Sequence, residues 1–210
     1  KYGSQLNPDA SVLYEFWENH YKAINTANLV IQQVEGSTSM TENQKQVALA
    51  EMSFLRAFFY FELVQQFGNI PLVLDVSFDV RTDFPRASVA DIYNQIIKDL
   101  EYSVEYSPEK PAKTGKAAKY AAAHLLAKVY LTRGSAVSDQ RGQQPTDMEN
   151  ALKYAKMVIE SGQYELLSDF ASLWDINNQG NKEVIFSVQF TTDPVYRGDG
   201  NTFHLYWGSW

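Results

Sequence analysis

Apolar positions recur at helical spacing along most of the chain. Leu13, Phe16, Trp17, His20, Tyr21, Ile24, Ala27, Ile31 and Val34 fall on one face, which predicts an amphipathic helix. Asn7-Pro8-Asp9 opens it, with proline in a first-turn position, and Gly36 ends it. The next helix is different. Phe54, Leu55, Ala57, Phe58, Phe59, Tyr60, Phe61, Leu63, Val64 and Phe67 are apolar on nearly every side. A helix of that kind lies in a core or a membrane. The run is too short for a bilayer and is broken by Arg56 and Glu62, so it belongs in a core, covered by other helices on several faces. Thr41 and Gln44 form a capping-box pattern at its start. Gly68 can supply a left-handed residue at its end, and Pro71 stops it from resuming. The first two helices therefore form a hairpin with a short connection.

Ile70 to Asp83 reads as an irregular or short extended connection. Ser88, with Asp91 at the reciprocal position, caps a third helix. Its stripe is Val89, Ile92, Tyr93, Ile96, Ile97, Leu100 and Val104, and Pro108 and Pro111 break it. A fourth helix runs from about Lys116 to Thr132, mixing small residues (Ala117, Ala118, Ala121, Ala122, Ala123, Ala127) with large ones. Such a mixture lets neighbouring helices approach closely and interlock. The polar stretch 135–145 predicts a mobile loop. Thr146 and Glu149 make a third capping-box pattern, opening a fifth helix that stops at Gly162. Tyr164 to Trp174 predicts a short helix or turn packed on its neighbours. From Glu183 the period changes: Val184, Phe186, Val188 and Phe190 alternate with Ile185, Ser187 and Gln189, a strand signal. From Thr191 the chain is loop-like and aromatic. The fold expected is mainly α: TPR-like helical hairpin repeats, then a short strand region and an aromatic loop near the C-terminus. No strict repeat of ~34 residues aligns. One domain covers 1–210, with a scaffold over 1–175 and the strand and loop over 176–210.

Composition narrows the partners. The net charge of −7 across 210 residues, with no dense block of Lys or Arg, argues against nucleic acid. With no cysteine, disulfides and thiolate metal sites are excluded. No run suits a transmembrane helix, and no signal peptide is present. The opening KYGSQLNPDAS looks like mid-protein loop, and the chain ends on large aromatics, so it reads as an internal piece of a longer protein.

Several stretches together resemble one family. LYEFWENHYKAINTANLVIQQVE followed by AEMSFLRAFFYFELVQQFGNIPLVL is similar to the SusD/RagB family of Bacteroidetes outer-membrane lipoproteins. FPRASVADIYNQIIKDLE, KAAKYAAAHLLAKVYLTRG, ALKYAKMVIESGQYELLSDFASLW and NKEVIFSVQF continue the resemblance in the family's order, over nearly the whole chain. The resemblance implies a non-catalytic protein on the extracellular face of the outer membrane, held by a lipid anchor that this chain lacks. It implies capture of an oligosaccharide or other nutrient and delivery to a SusC-like TonB-dependent transporter. It implies no cofactor. The family's amino-terminal lipid-attachment cysteine and its carboxy-terminal half are not in this sequence.

The best candidate for ligand chemistry is the end of the chain: Tyr196, Arg197, Asp199, Asn201, Phe203, His204, Tyr206, Trp207 and Trp210. Sugar rings present apolar C–H faces that suit flat aromatic platforms, and their hydroxyls need partners such as Asn, Asp, Arg and His. The same aromatics could instead pack on further chain. Trp17 and Trp174 lie on apolar stripes and read as core. Tyr21, Asn25 and Asn28 share a helix face, where the asparagines would hydrogen-bond a neighbouring loop backbone. Arg56 and Glu62 call for buried partners. Asp75, Asp79, Arg81, Asp83 and Arg86 read as a solvated loop. His20, His124 and His204 lack metal-ligand spacing, and no nucleophile elbow or nucleotide-binding glycine pattern occurs. The alternative from another class is a TPR-type scaffold that binds only protein. A third, a glycan hydrolase, has no sequence signature to support it.

Overall fold

The computed structural model describes residues 11–76, 83–137 and 140–189. Five helices carry the fold: α1 (Ser11–Gly36), α2 (Glu42–Phe67), α3 (Val89–Tyr106), α4 (Lys119–Gly134) and α5 (Asp147–Glu160). Each packs on the next in sequence, α1 on α2, α2 on α3, α3 on α4 and α4 on α5. The molecule is thus a run of helical hairpins. The Asn7-Pro8-Asp9 opening lies outside the described residues.

As its all-round apolar pattern requires, α2 is the central element. Phe54, Ala57, Tyr60, Phe61 and Leu63 are almost wholly buried. α1 and α3 flank it. On a further side Phe186 meets Phe54 edge-to-face, with ring centroids 5.0 Å apart. The helix starts at a complete capping box: the Thr41 hydroxyl accepts from the Gln44 backbone N–H, and the Gln44 side chain accepts from the Thr41 N–H. It ends at Gly68, whose positive φ of 68° disfavours any residue with a Cβ.

Two short strands, β1 (Ile70–Pro71) and β2 (Arg86–Ala87), pair antiparallel and close the connection between α2 and α3. They hold the extended connection that the sequence predicts there. Tyr21 donates to the Pro71 carbonyl at 2.7 Å, and Asn28 Nδ2 donates to the Val73 carbonyl at 3.0 Å. Tyr60 donates to the same carbonyl at 2.8 Å and accepts from the Val73 N–H at 2.7 Å. The loop-anchoring role expected of Asn28 is therefore present. Asp75, Asp83 and Arg86 are exposed, as a solvated loop requires, whereas Asp79 and Arg81 lie outside the described residues.

Two arginines organise the packing from within. Arg56 on α2 makes a bidentate pair with Asp99 on α3 and donates a third bond to Asn28 on α1. Arg133 on α4 pairs with Asp147 on α5 and donates to Asn94 on α3. Each arginine thus ties the preceding and following helices to its own. Gly134 makes the second site possible, because a Cβ there would lie 2.8 Å from the Asp147 Cβ. The buried partner expected for Arg56 is present. Glu62 differs: it is half-buried and forms no ion pair with a described residue.

Five expectations need correction. First, α4 begins at Lys119 rather than Lys116, because the Lys119 N–H bonds the Pro108 carbonyl and leaves Ala118 extended as the cap. Second, Thr146 is not a side-chain cap. The Gln144 carbonyl already accepts from the Asp147 N–H, and the Asp147 carboxylate accepts from the Gln144 N–H. The turn therefore starts earlier, with Pro145 in its first position. Third, the described residues of the loop before α5 are tied back, since Arg141 donates to the Thr132 carbonyl and Gln143 to that of Ala136. Fourth, residues 183–189 form no strand: no described segment pairs with them in a ladder. Ile185 and the adjacent Phe186 both pack on the core, which alternation would forbid.

The fifth correction concerns Trp174. The segment after α5 does turn helical, as a short 3-10 turn at Phe170–Trp174. Asp169 caps it by accepting from the Ala171 and Ser172 N–H groups. Trp174 is nevertheless 73% exposed, and Phe170 74%, so neither is core. Their rings meet edge-to-face at 6.1 Å, and Leu166 and Ile176 are exposed as well. A five-residue turn cannot follow an amphipathic stripe inward, because its tight 3-10 geometry stacks side chains three apart. Trp17 does pack, against Tyr21 and edge-on to Phe67.

Candidate functional site

The ligand-facing residues expected from the sequence, Tyr196, Arg197, Asp199, Asn201, Phe203, His204, Tyr206, Trp207 and Trp210, all lie outside the described residues. The described chain leads up to them through residues 180–189, and this segment forms one wall of a pocket of about 370 Å³. The opposite wall is the connection between α3 and α4, and Gln163 and Tyr164, just past α5, close the base.

Local chemistry builds both walls. Pro108 and Pro111 stop α3, and the Lys119 N–H to Pro108 carbonyl bond at 2.9 Å closes the connection into a loop. At its tip Gly115 has a φ of +88°, and a Cβ there would fall 2.6 Å from the Gln189 side chain. Glycine lets the two walls come this close. The other wall is pinned at its start: Glu165 N–H donates to the Lys182 carbonyl, and Leu167 N–H to the Glu183 carboxylate. Asn181 donates to the Asn178 carbonyl and accepts from the Glu183 N–H. Tyr164 meets Tyr120 edge-to-face at 6.3 Å and anchors the base to α4; burial raises its phenol pKa.

The lining combines Lys110, Lys116 and Lys182 with Thr114, Gln163 and Asn181, beside apolar Val184, Ile185 and Phe186. Such a mixture of donors and apolar surface is what small-molecule pockets use. No single stretch of sequence reveals this pocket, because its residues come from three separated segments. The paired Pro108/Pro111 and the Gly115 between lysines were the only local signs.

A second, more open groove lies between α1, α2 and α3, lined by Glu35, Tyr102, Glu101, Glu105 and Lys98 over the Arg56–Asp99 pair. Arg56 uses its donors on Asp99 and Asn28, so it is a structural group there. Among the described residues, no three His, Asp or Glu side chains gather as metal ligands, and no helix is long and apolar enough to cross a membrane. His20 is tied to its own helix by a 2.7 Å contact with the Phe16 carbonyl.

Comparison with known proteins accounts for this architecture. Residues 1–131 match the SusD-like family model described as starch-binding, associating with the outer membrane. A SusD-like protein of Bacteroides ovatus is 33% identical over 180 residues, covering 83% of this chain and 32% of that protein. A solved structure described as a complex with xylogluco-oligosaccharide superimposes with a TM-score of 0.80 at 30% identity, covering 89% of this chain and 37% of the other. A laminarin-binding SusD-like protein gives a TM-score of 0.71 at 27% identity, covering 84% of this chain and 38% of the other. The chain spans about a third of the length of the curated relatives it matches. It belongs to the SusD-like family.

Proposed function

We propose that this protein captures oligosaccharides at the outer face of the outer membrane and delivers them to a SusC-like TonB-dependent transporter. The observation that carries the reading is the likeness of the helical run to the relative solved with xylogluco-oligosaccharide, at a TM-score of 0.80. The likeness to a laminarin-binding relative supports the same class of ligand. The protein acts without catalysis and without a cofactor, and a lipid anchor holds it to the membrane.

In this reading residues 1–175 are a TPR-like scaffold and 176–210 form the ligand face. Trp207, Trp210, Tyr206 and Phe203 stack on sugar rings, while Asn201, Arg197, His204 and Tyr196 bond hydroxyls at the ring edge. The test is affinity electrophoresis of the full-length protein through gels containing neutral polysaccharides, together with co-purification from native membranes. Retardation by at least one polysaccharide and recovery of a TonB-dependent transporter are expected. Free migration in every gel counts against glycan capture.

One observation favours a second reading. The exposed apolar side chains Leu166, Phe170, Trp174 and Ile176 suit a protein partner, as a TPR-type scaffold without sugar binding would require. That reading predicts transporter or partner recovery with no retardation in any gel.

A further inference from the structure

The pocket between the α3–α4 connection and residues 180–187 has an unusual charge. The protein carries a net charge of −7, yet this lining holds three lysines and no aspartate or glutamate. Lys116 reaches Glu51 at 2.8 Å and Lys182 reaches Glu165 at 3.0 Å, both carboxylates lying outside the lining. Lys110 has no carboxylate partner among the described residues. The lining therefore keeps a positive surplus.

The two existing ion pairs do not close the site. Their lysine side chains are 49% and 66% exposed, and ion pairs at that exposure are worth little. An incoming anion can share or replace the glutamates at small cost. Thr114, Gln163 and Asn181 add groups that can bond hydroxyls, and Phe186 and Val184 add apolar surface. The volume of about 370 Å³ falls within the range of small-molecule sites. The walls are set before a ligand arrives, by the bonds of Lys119 to Pro108 and of Leu167 to Glu183.

We propose that this pocket binds the negatively charged substituent of an acidic oligosaccharide, a carboxylate or a sulfate ester, with Lys110, Lys116 and Lys182 as its electrostatic partners. The proposal rests on the glycan-capture reading and gives it a ligand class. Ammonium groups are strongly hydrated point charges that accept either anion, so the lysines recognise the charge and the amides the sugar. Binding therefore weakens as salt rises.

The test is calorimetry on the full-length protein with four probes: trigalacturonate, a sulfated galactan tetrasaccharide, cellotetraose and sodium sulfate. An acidic sugar is expected to bind at least about tenfold more tightly than cellotetraose, the summed size of three such exposed contacts. Lys110→Ala and Lys182→Ala should each weaken the acidic sugar by about two- to fivefold and reduce its salt dependence. Both should leave any neutral-sugar affinity unchanged, and Lys110→Arg should retain most acidic binding. Preference for the uronate or the sulfated probe names the source of the charge. Acidic binding untouched by both alanine variants overturns the proposal, as does inorganic sulfate matching the sulfated sugar. Neutral sugars bound with acidic ones ignored overturns it while leaving glycan capture standing. No sugar bound at all removes both. Lys110 makes no described ion pair, so its variant tests the site rather than the fold.

Discussion

Arg56 and Asp99 meet as a bidentate pair inside the core, Nε donating to Oδ2 and Nη2 to Oδ1, both at 2.8 Å. Both residues are less than a tenth exposed. The third contact, to Asn28 Oδ1, ties α2 to α1 as well as to α3. Arg133 repeats the device with Asp147 and Asn94. Removing one partner of a buried pair strands the other charge and costs about 3–5 kcal/mol. Asp99→Ala should therefore lower Tm by roughly 10 °C, measured by calorimetric unfolding. An Arg56→Met/Asp99→Leu double variant should lose much less than the sum of the single changes, since it leaves no unpaired charge.

Tyr60 is the hinge pin of the loop after α2, bonding both the N–H and the carbonyl of Val73. Tyr60→Phe strands the Val73 N–H and leaves the Val73 carbonyl with the Asn28 bond alone, and should cost about 1–3 kcal/mol. Hydrogen exchange should speed up at 70–75 well before α3 is affected. Uniform loss of protection across all helices would contradict a local anchoring role.

The same phenol sets an alkaline limit. Burial pushes the Tyr60 pKa up to about 12, and Tyr21 and Tyr130 are raised by burial as well. An unfolded tyrosine ionises near pH ~10. Between pH 10 and 12 the unfolded chain therefore loses protons that the folded chain keeps, so stability falls as pH rises. Tyr60 alone should contribute about 2–3 kcal/mol below pH ~10 that is lost by pH ~12. Denaturant midpoints taken across this window should drop for the wild type and drop less for Tyr60→Phe.

Two threonines separate apparent from real helix caps. Thr41→Ala breaks a complete capping box and should cost about 1 kcal/mol in a urea melt. Thr146→Ala should change almost nothing, because Thr146 makes no cap bond and Asp147 does that work. Equal losses would restore the capping box that Thr146 and Glu149 suggest in the sequence.

These contrasts show where the sequence is readable. The stripe Ile92, Tyr93, Ile96, Ile97, Leu100 and Val104 is buried as its spacing requires, because one amphipathic helix needs only local periodicity to be recognised. Gly68 and the Thr41 cap were equally local. The arginine–aspartate ties were half visible: a charge in an all-apolar helix demands a partner, but nothing local names Asp99. A clue lay in the similar stretches Asn28-Leu-Val-Ile and Asn94-Gln-Ile-Ile, whose asparagines do take equivalent places beside Arg56 and Arg133. The alternation at 184–190 misled because a strand needs a partner as well as a pattern. Trp174 misled because burial depends on what covers a turn. The lysine pocket draws on three separate segments, and no window of sequence contains it.

The most direct test of glycan capture is calorimetric titration of the full-length, lipid-free protein with an oligosaccharide panel, repeated with Trp207→Ala and Trp210→Ala. The account expects saturable binding of at least one sugar by the wild type and a loss of about tenfold or more in at least one variant. Unchanged affinity in both variants would move the ligand face away from residues 196–210. Absence of binding to every sugar would contradict glycan capture itself.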